Sequence, residues 1–304
     1  MHKKGFALAL TLWIVAIMSL VSVLFLSYSK KVVKKSGELQ TKLKLVLEAE
    51  SMVEVIKFYG STGIIVENRL ENRIIGEKIK GFPNKISIDS KKIVFDNSTI
   101  SLQDSAGLID ISDQGAISDY VAEDKEKKAI IKDSMLDWID TDSFSSLNGA
   151  EKSYYSGNGY RYNARNEQYI SAPDELFLIR GLDHLSKDKK DKLLSNLIIA
   201  DGGGTYNFFT LKDDILQTRY NLTDNDMEQL KKAKEKDLDS FRRLFYTLNK
   251  RDSIDFEEDN IYPSSIIRGE VVSSFKNIKE EIEFVIDFNP KRDDKSFEVL
   301  YYKN

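Results

Sequence analysis

The chain has 304 residues, 31% of them charged and 41% hydrophobic, with a formal net charge of −4. That length admits about two domains, and the mildly acidic balance supplies no field for capturing phosphate backbones. Cysteine is absent and the histidines are two, His2 and His184, which excludes disulfide frameworks, thiolate metal sites and the triads or zinc centres that gather several imidazoles in one pocket.

From residue 6 to residue 26 the chain reads FALALTLWIVAIMSLVSVLFL, without a charge and with Thr11, Ser19 and Ser22 as its polar side chains. As a helix rising about 1.5 Å per residue, such a run crosses the roughly 30 Å hydrocarbon layer. A cleaved secretory signal has a shorter apolar core, about 7–15 residues, followed by small residues. Here the run continues into Lys30, Lys31, Lys34 and Lys35, so a membrane anchor is expected. Lys3 and Lys4 precede the span, and the lysine count alone favours the amino end outside; charge therefore leaves orientation open.

Beyond the span, Leu39, Leu43, Val46, Val53 and Ile56 recur at three- and four-residue steps, with Lys42, Lys44, Glu48 and Glu54 on the other side. This predicts that the helix continues as an amphipathic one. Gly60, Ser61, Thr62 and Gly63 form its stop signal. To about Ser118 the pattern then changes to short strands separated by turns: KISID, KKIVF, STISLQD and GLIDIS. Similar strands return near the C-terminus in SIIRGEVVSSF, EEIEFVIDF and FEVLYYK. Between them lie helical patterns: EDKEKKAIIKDSMLDWID, APDELFLIRGLDHL, KDKKDKLLSNLI, LKDDILQTRY and TDNDMEQLKKAKEKDLDSFRRLF. Strands flanking a helical block imply an α+β fold with an antiparallel sheet and an inserted all-α domain.

Several groups could carry chemistry. Asp137, Asp140 and Asp142 place three carboxylates within six residues at a helix end, with Glu151 beyond a loop. Clustered carboxylates and loop carbonyls can hold a hard cation such as calcium at about 2.3–2.6 Å, which makes Asp140, Asp142 and Glu151 the candidate ligands. The bland alternative is a solvated helix C-terminus. Paired acids could also act as general acid and base, as in glycosidases, and Tyr154, Tyr155, Tyr160 and Tyr162 could supply an aromatic platform or pack the loop. Residues 173–182, ending Ile179-Arg180-Gly181-Leu182, resemble the turn of a helix-hairpin-helix, where helix-start amides can hold phosphate. The lysines that follow are interrupted by Asp183, Asp188 and Asp191, which favours a structural hairpin. Gly202-Gly203-Gly204 lacks the lysine of a phosphate loop, and His184 is expected to pack or cap.

The opening MHKKGFALALTLW resembles a type IV prepilin leader: a short basic segment, a glycine, and a phenylalanine that begins the apolar run. The resemblance implies cleavage after Gly5 by a prepilin peptidase on the cytoplasmic side. Phe6 becomes the methylated N-terminus, and the bulk of the chain lies in the periplasm, anchored once in the inner membrane. Pilin-like proteins carry a glutamate at the fifth mature position that helps register subunits, and Leu10 stands there instead. The minor pseudopilin protein K of type II secretion departs in this way. Further along, DSAGLIDIS, SMLDWIDTDS, YYSGNGYRYNARNEQYISAPDELFLIRGLD, YNFFTLKDDIL and RGEVVSSF before EEIEFVIDF follow the order of the same family. The resemblance implies a division into leader (1–5), transmembrane and amphipathic helix (6–59), pilin-like α+β domain (60–118 and 259–304) and helical insertion (119–258). It also implies a non-enzymatic role at the pseudopilus tip with I- and J-type minor pseudopilins. Further implied partners are the major pseudopilin, the prepilin peptidase, the inner-membrane assembly platform and exported protein; calcium would sit in the helical region, and no nucleic acid is expected. The competing readings are a membrane-anchored extracytoplasmic carboxylate enzyme and a DNA-binding competence-type pseudopilin.

Overall fold

The computed structural model describes residues 3–66, 68–72, 82–165, 169–198, 206–249, 259–260, 262–289 and 297–303. One helix, α1 (Lys3–Thr62), runs through the apolar segment and the amphipathic segment without interruption. Its first part has the length and apolarity of a membrane-crossing helix and leaves side chains such as Leu12, Trp13 and Phe25 exposed. Gly5 and Phe6 fall in its first turns, and Leu10 is exposed.

In the second half the buried stripe is Leu45, Ala49, Met52, Val53, Ile56 and Tyr59, while Leu39, Leu43 and Leu47 face outward. The stripe therefore lies partly on the side expected to be solvated. Lys42 pairs with Glu280 at 3.2 Å, and Glu48 accepts from the Asn97 backbone N–H and the Ser98 hydroxyl, both at 3.2 Å. A helix docked on a sheet face buries charged stems beside its apolar row when their heads find partners.

After α1 come β1 (Ile64–Val66), β2 (Arg69–Glu71), β3 (Lys85–Ser87), β4 (Asp89–Phe95) and β5 (Ser98–Asp104). The helical region contains β6 (Ile109–Asp110), α2 (Gln114–Val121), α3 (Lys125–Ile139), α4 (Lys152–Gly157), α5 (Lys187–Asn196), β7 (Leu197–Ile198), β8 (Tyr206–Asn207), α6 (Asp213–Tyr220), α7 (Asp224–Lys236) and α8 (Leu238–Leu248). Then follow β9 (Asp259–Asn260), β10 (Ile266–Phe275), β11 (Ile278–Asp287) and β12 (Glu298–Lys303). The main sheet is five-stranded and antiparallel, in the order β12-β11-β10-β5-β4. Its period-two pattern buries Ile100 and Leu102 of β5, Ile267 and Val271 of β10, and Ile282, Phe284 and Ile286 of β11 against α1.

Two local expectations change. Residues 173–178 form a 3-10 helix instead of an α-helix, Pro173 pre-setting its first turn. The run from Thr223 to Phe245 splits at Asp237, whose extended backbone ends α7 and whose carboxylate caps α8 through the Ser240 N–H at 2.6 Å. The boundary expected between residues 118 and 119 falls inside α2. A second core fills the helical region, built on Trp138, Tyr155, Leu176, Leu182, Leu193, Phe208, Phe241 and Phe245 among others.

The two cores meet at the end of β5. Alternation points Asp104 into the buried face, where water cannot solvate it, and its carboxylate is met by five donors. Oδ1 accepts from the Ser264 N–H (3.0 Å), the Ser264 hydroxyl (2.7 Å) and the Ala106 N–H (3.2 Å). Oδ2 accepts from Asn207 Nδ2 and Thr210 Oγ1, both at 2.9 Å. Asn207 also donates to Asn68 at 2.7 Å. DSAGLIDIS, YNFFT and the approach to β10 thus converge on one carboxylate.

Candidate metal centre and neighbouring surfaces

α3 ends at Ile139 because Asp140 turns extended, and Asp137, one turn earlier, is fully buried. The following loop folds back over it. Asp137 accepts from the Ser146 N–H through both oxygens at 3.1 Å and from the Ser145 hydroxyl at 3.3 Å. Asp133 holds Asn148 through its backbone N–H (3.1 Å) and its amide (3.0 Å). Arg180 donates to the carbonyls of Asn148 (3.2 Å) and Gly149 (2.9 Å) while stacking on Tyr154. Gly149 is required by this fold-back: a Cβ there would overlap the Asp137 carboxylate.

The loop returns to Glu151, the N-cap of α4, so that Asp137, Asp140 and Glu151 each place an oxygen within 4.8 Å of the other two. Glu151 is only 3% exposed. Oδ1 of Asp140 and Oε1 of Glu151 are buried without a hydrogen-bond partner. Burial, reinforced by the Asp142 and Asp137 charges, raises the Asp140 carboxyl above its ordinary range. Burial, with Asp140, Asp137 and Asp142 nearby, likewise raises Glu151, although the Lys152 N–H opposes the shift. Like charges held this close and dry demand a counter-charge or a proton. The donor set suits a hard cation, since all three ligands are carboxylate oxygens and two of them have an empty lone-pair direction.

Of the residues anticipated as ligands, Asp140 and Glu151 are brought together. Asp142 is exposed, outside that group, with Oδ1 accepting from the Phe144 N–H at 2.8 Å. Asp137 joins in its place. No local pattern marked it, because Asp140 as well as Asp142 lies past the last residue of α3, and the approach of Asp137 to Asp140 and Glu151 depends on how the loop folds back.

Beneath the cluster, Trp138 donates to Glu175 at 2.8 Å, and Ser171 and Arg165 bind the other Glu175 oxygen. Burial alone would raise this carboxyl, but the indole, Ser171 and Arg165 together hold it below its usual range. Tyr155 and Tyr162 pack edgewise on Trp138, and Tyr154 and Tyr160 pack on Tyr155. The tyrosines fill the loop's interior. A cleft of about 540 Å³ lies elsewhere, between the α2–α3 corner and Gly181, His184 and Lys189, and none of the three carboxylates lines it.

In the hairpin turn, Gly181 adopts φ +89°, and a Cβ there would press on Ile131 of α3. The amides that could cradle a phosphate are occupied from within, since Asp183 Oδ1 accepts from the N–H groups of Gly181 (3.1 Å) and His184 (3.0 Å). His184 is exposed beside Asp183 instead of packed. Gly202, Gly203 and Gly204 lie outside the described residues.

A long N-terminal helix on an antiparallel sheet, with a helical block inserted between its strands, is a pilin-like α+β fold enlarged by an insertion. Residues 115–195 match the family model described as type II secretion system (T2SS), protein K. A crystal structure of the GspK-GspI-GspJ complex from the type 2 secretion system of enterotoxigenic Escherichia coli contains a similar fold. The TM-score is 0.55 at 14% identity, over 89% of this chain and 98% of that one. No curated protein matches the sequence. Residues 115–195 are thus similar to the type II secretion system protein K family, and the fold over most of the chain is similar to one in the GspK-GspI-GspJ complex.

Proposed function

We propose that the chain is a minor pseudopilin of a type II secretion system that assembles at the pseudopilus tip with I- and J-type minor pseudopilins, above the major pseudopilin, and supports protein export. Supporting this reading is the place where the helical region joins the sheet. Lys42 and Glu48 of α1 contact one end of the main sheet at Glu280, Asn97 and Ser98. Gly60 abuts Phe288 at the other end, near Asp104, from which the helical region departs. Thr62 lies about 50 Å of helix beyond Leu26, at about 1.5 Å per residue. The insertion therefore crowns the membrane-distal end, where it would obstruct a subunit stacked above. On this reading the chain divides into a pilin-like unit (60–118 and 259–304) and an insertion (119–258), with α2 and the Ile109–Ile111 segment packed into the insertion's core.

Leu10 fits the same place, because a buried membrane carboxylate is costly without a partner and a terminal subunit has none above it. Processing after Gly5, methylation of Phe6, a periplasmic globular region, and contacts with the peptidase and the assembly platform belong to this proposal. Asp137, Asp140 and Glu151, with Asp142 adding charge beside them, would hold calcium, which would neutralise the cluster and fix the loop between α3 and α4. The role is binding and assembly, without catalysis.

Mass spectrometry of the mature N-terminus in cells with and without the prepilin peptidase tests the reading. We expect Phe6 at the N-terminus only when the peptidase is present; an intact Met1 in both strains refutes it.

A further inference from the structure

The apolar run of α1 ends at Leu26, and Lys30, Lys31, Lys34 and Lys35 follow it closely, with Glu38 as the nearest acidic residue along the helix. Lys34 lies 3.8 Å from Glu38, and both side chains are well exposed. Among the described residues, no carboxylate lies within ion-pairing distance of Lys30, Lys31 or Lys35. Lys30 and Lys34, like Lys31 and Lys35, stand four apart on one helix, a spacing at which like charges repel. The chain itself supplies too little counter-charge for this cluster.

Helix geometry fixes where the cluster points. At about 100° per residue the four lysines fall within an arc of about 140°. Ala49, Met52, Val53 and Ile56, which pack on the sheet, fall on the same arc. The lysines therefore lie beneath the sheet, off the outward stripe of Leu39, Leu43 and Leu47.

We propose that Lys30, Lys31, Lys34 and Lys35 hold anionic phospholipid headgroups, fixing the depth and rotation of α1 in the membrane. Lys30 stands about 6 Å beyond Leu26 and Lys35 about 14 Å, at the headgroup layer and within reach of its field. Lysine stems are long enough to bend back to that layer. The exposed Tyr28 marks the same boundary, where amphipathic rings collect. Charge complementarity selects the occupant, since basic segments flanking a span are drawn to anionic lipid. An acidic protein surface has the same sign, but at this depth lipid phosphate surrounds an exposed helix on every side. Orientation does not account for the cluster: with the amino end in the cytoplasm, these lysines stand on the side that topology disfavours for them. The proposal rests on the membrane anchor and orientation proposed above.

The test inserts the full chain into nanodiscs of phosphatidylcholine and phosphatidylglycerol in equal amounts and identifies the lipids retained on gentle release by native mass spectrometry. We expect retained phosphatidylglycerol to exceed phosphatidylcholine about tenfold, and the excess to shrink as salt rises. The variant Lys30→Gln, Lys31→Gln, Lys34→Gln, Lys35→Gln should lose the preference, and arginine at the same four positions should keep it. A control with Lys125→Gln, Lys127→Gln, Lys187→Gln and Lys189→Gln, all exposed lysines of the helical region, should match the wild type. Equal retention of the two lipids by the wild type overturns the proposal, as does a preference that survives the first glutamine variant. A control that also loses the preference overturns it too, by making the effect one of overall charge. If the first variant keeps the lipid preference but no longer co-isolates with sibling subunits, the lysines serve an acidic protein partner instead. If the full chain does not enter nanodiscs at all, the anchor reading itself fails; if it enters without preference, only the headgroup contact fails.

Discussion

Asp140 sits where three carboxylates converge with two oxygens left unpartnered, and its chemistry dictates a pH signature. Its folded pKa is raised, so its contribution to stability is complete below the ordinary carboxylate range and is lost as pH climbs through the raised value. Asp140→Asn cannot ionise and keeps that contribution. In chelator we therefore expect the variant to melt above the wild type at pH 7, with the gap closing below about pH 4. In excess calcium the order should reverse, because a cation that binds only the folded state stabilises it by mass action. Thermal unfolding at the two pH values, with and without calcium, measures both; a wild type unaffected by chelation at pH 7 argues against the centre. Gly149→Ala makes a companion test. The methyl group would displace the Asp137 carboxylate, so the calcium-induced rise in melting temperature should vanish while the far-ultraviolet dichroism of the helices persists.

At the scale of elements, the joint between sheet and helical region hangs on the five donors around Asp104. Asp104→Asn keeps the shape but turns an acceptor into a donor facing donors, leaving buried groups unsatisfied. We expect a loss of about 2–3 kcal/mol in denaturant unfolding, with faster hydrogen exchange concentrated at residues 206–210. A loss below about 0.5 kcal/mol would show that the joint does not depend on this carboxylate. The stretches that meet here, and their order, are legible in the sequence, since each is a local pattern. It could not show that they meet, because positions 104, 207 and 264 are brought together only by the path of the chain. The same limit governed α2. Asp113 caps it through the Ala116 N–H at 2.8 Å, yet QGAIS beside the strand-like GLIDIS offered too short an apolar repeat to read as a helix.

For the whole molecule, two cores and one shared helix set the mechanics. Ile56 is fully buried between α1 and the sheet, so Ile56→Ala should cost about 2–4 kcal/mol through the cavity it leaves. Hydrogen exchange should then quicken across β5, β10 and β11 while α6, α7 and α8, which enclose Phe208, Phe241 and Phe245, stay protected. Uniform loss of protection would mean that the cores unfold as one unit.

The membrane-length apolar run, the antiparallel strands β5, β10, β11 and β12, and the helical block between them were determined by the sequence alone, because hydrophobic periodicity and turn chemistry act between near neighbours. Which face of α1 the sheet covers, where the insertion is fastened, and why Asp137 and not Asp142 joins Asp140 and Glu151 were decided only by the tertiary structure. Those are relations between residues distant in the chain, and only packing and the need to satisfy buried charge bring them within reach of one another.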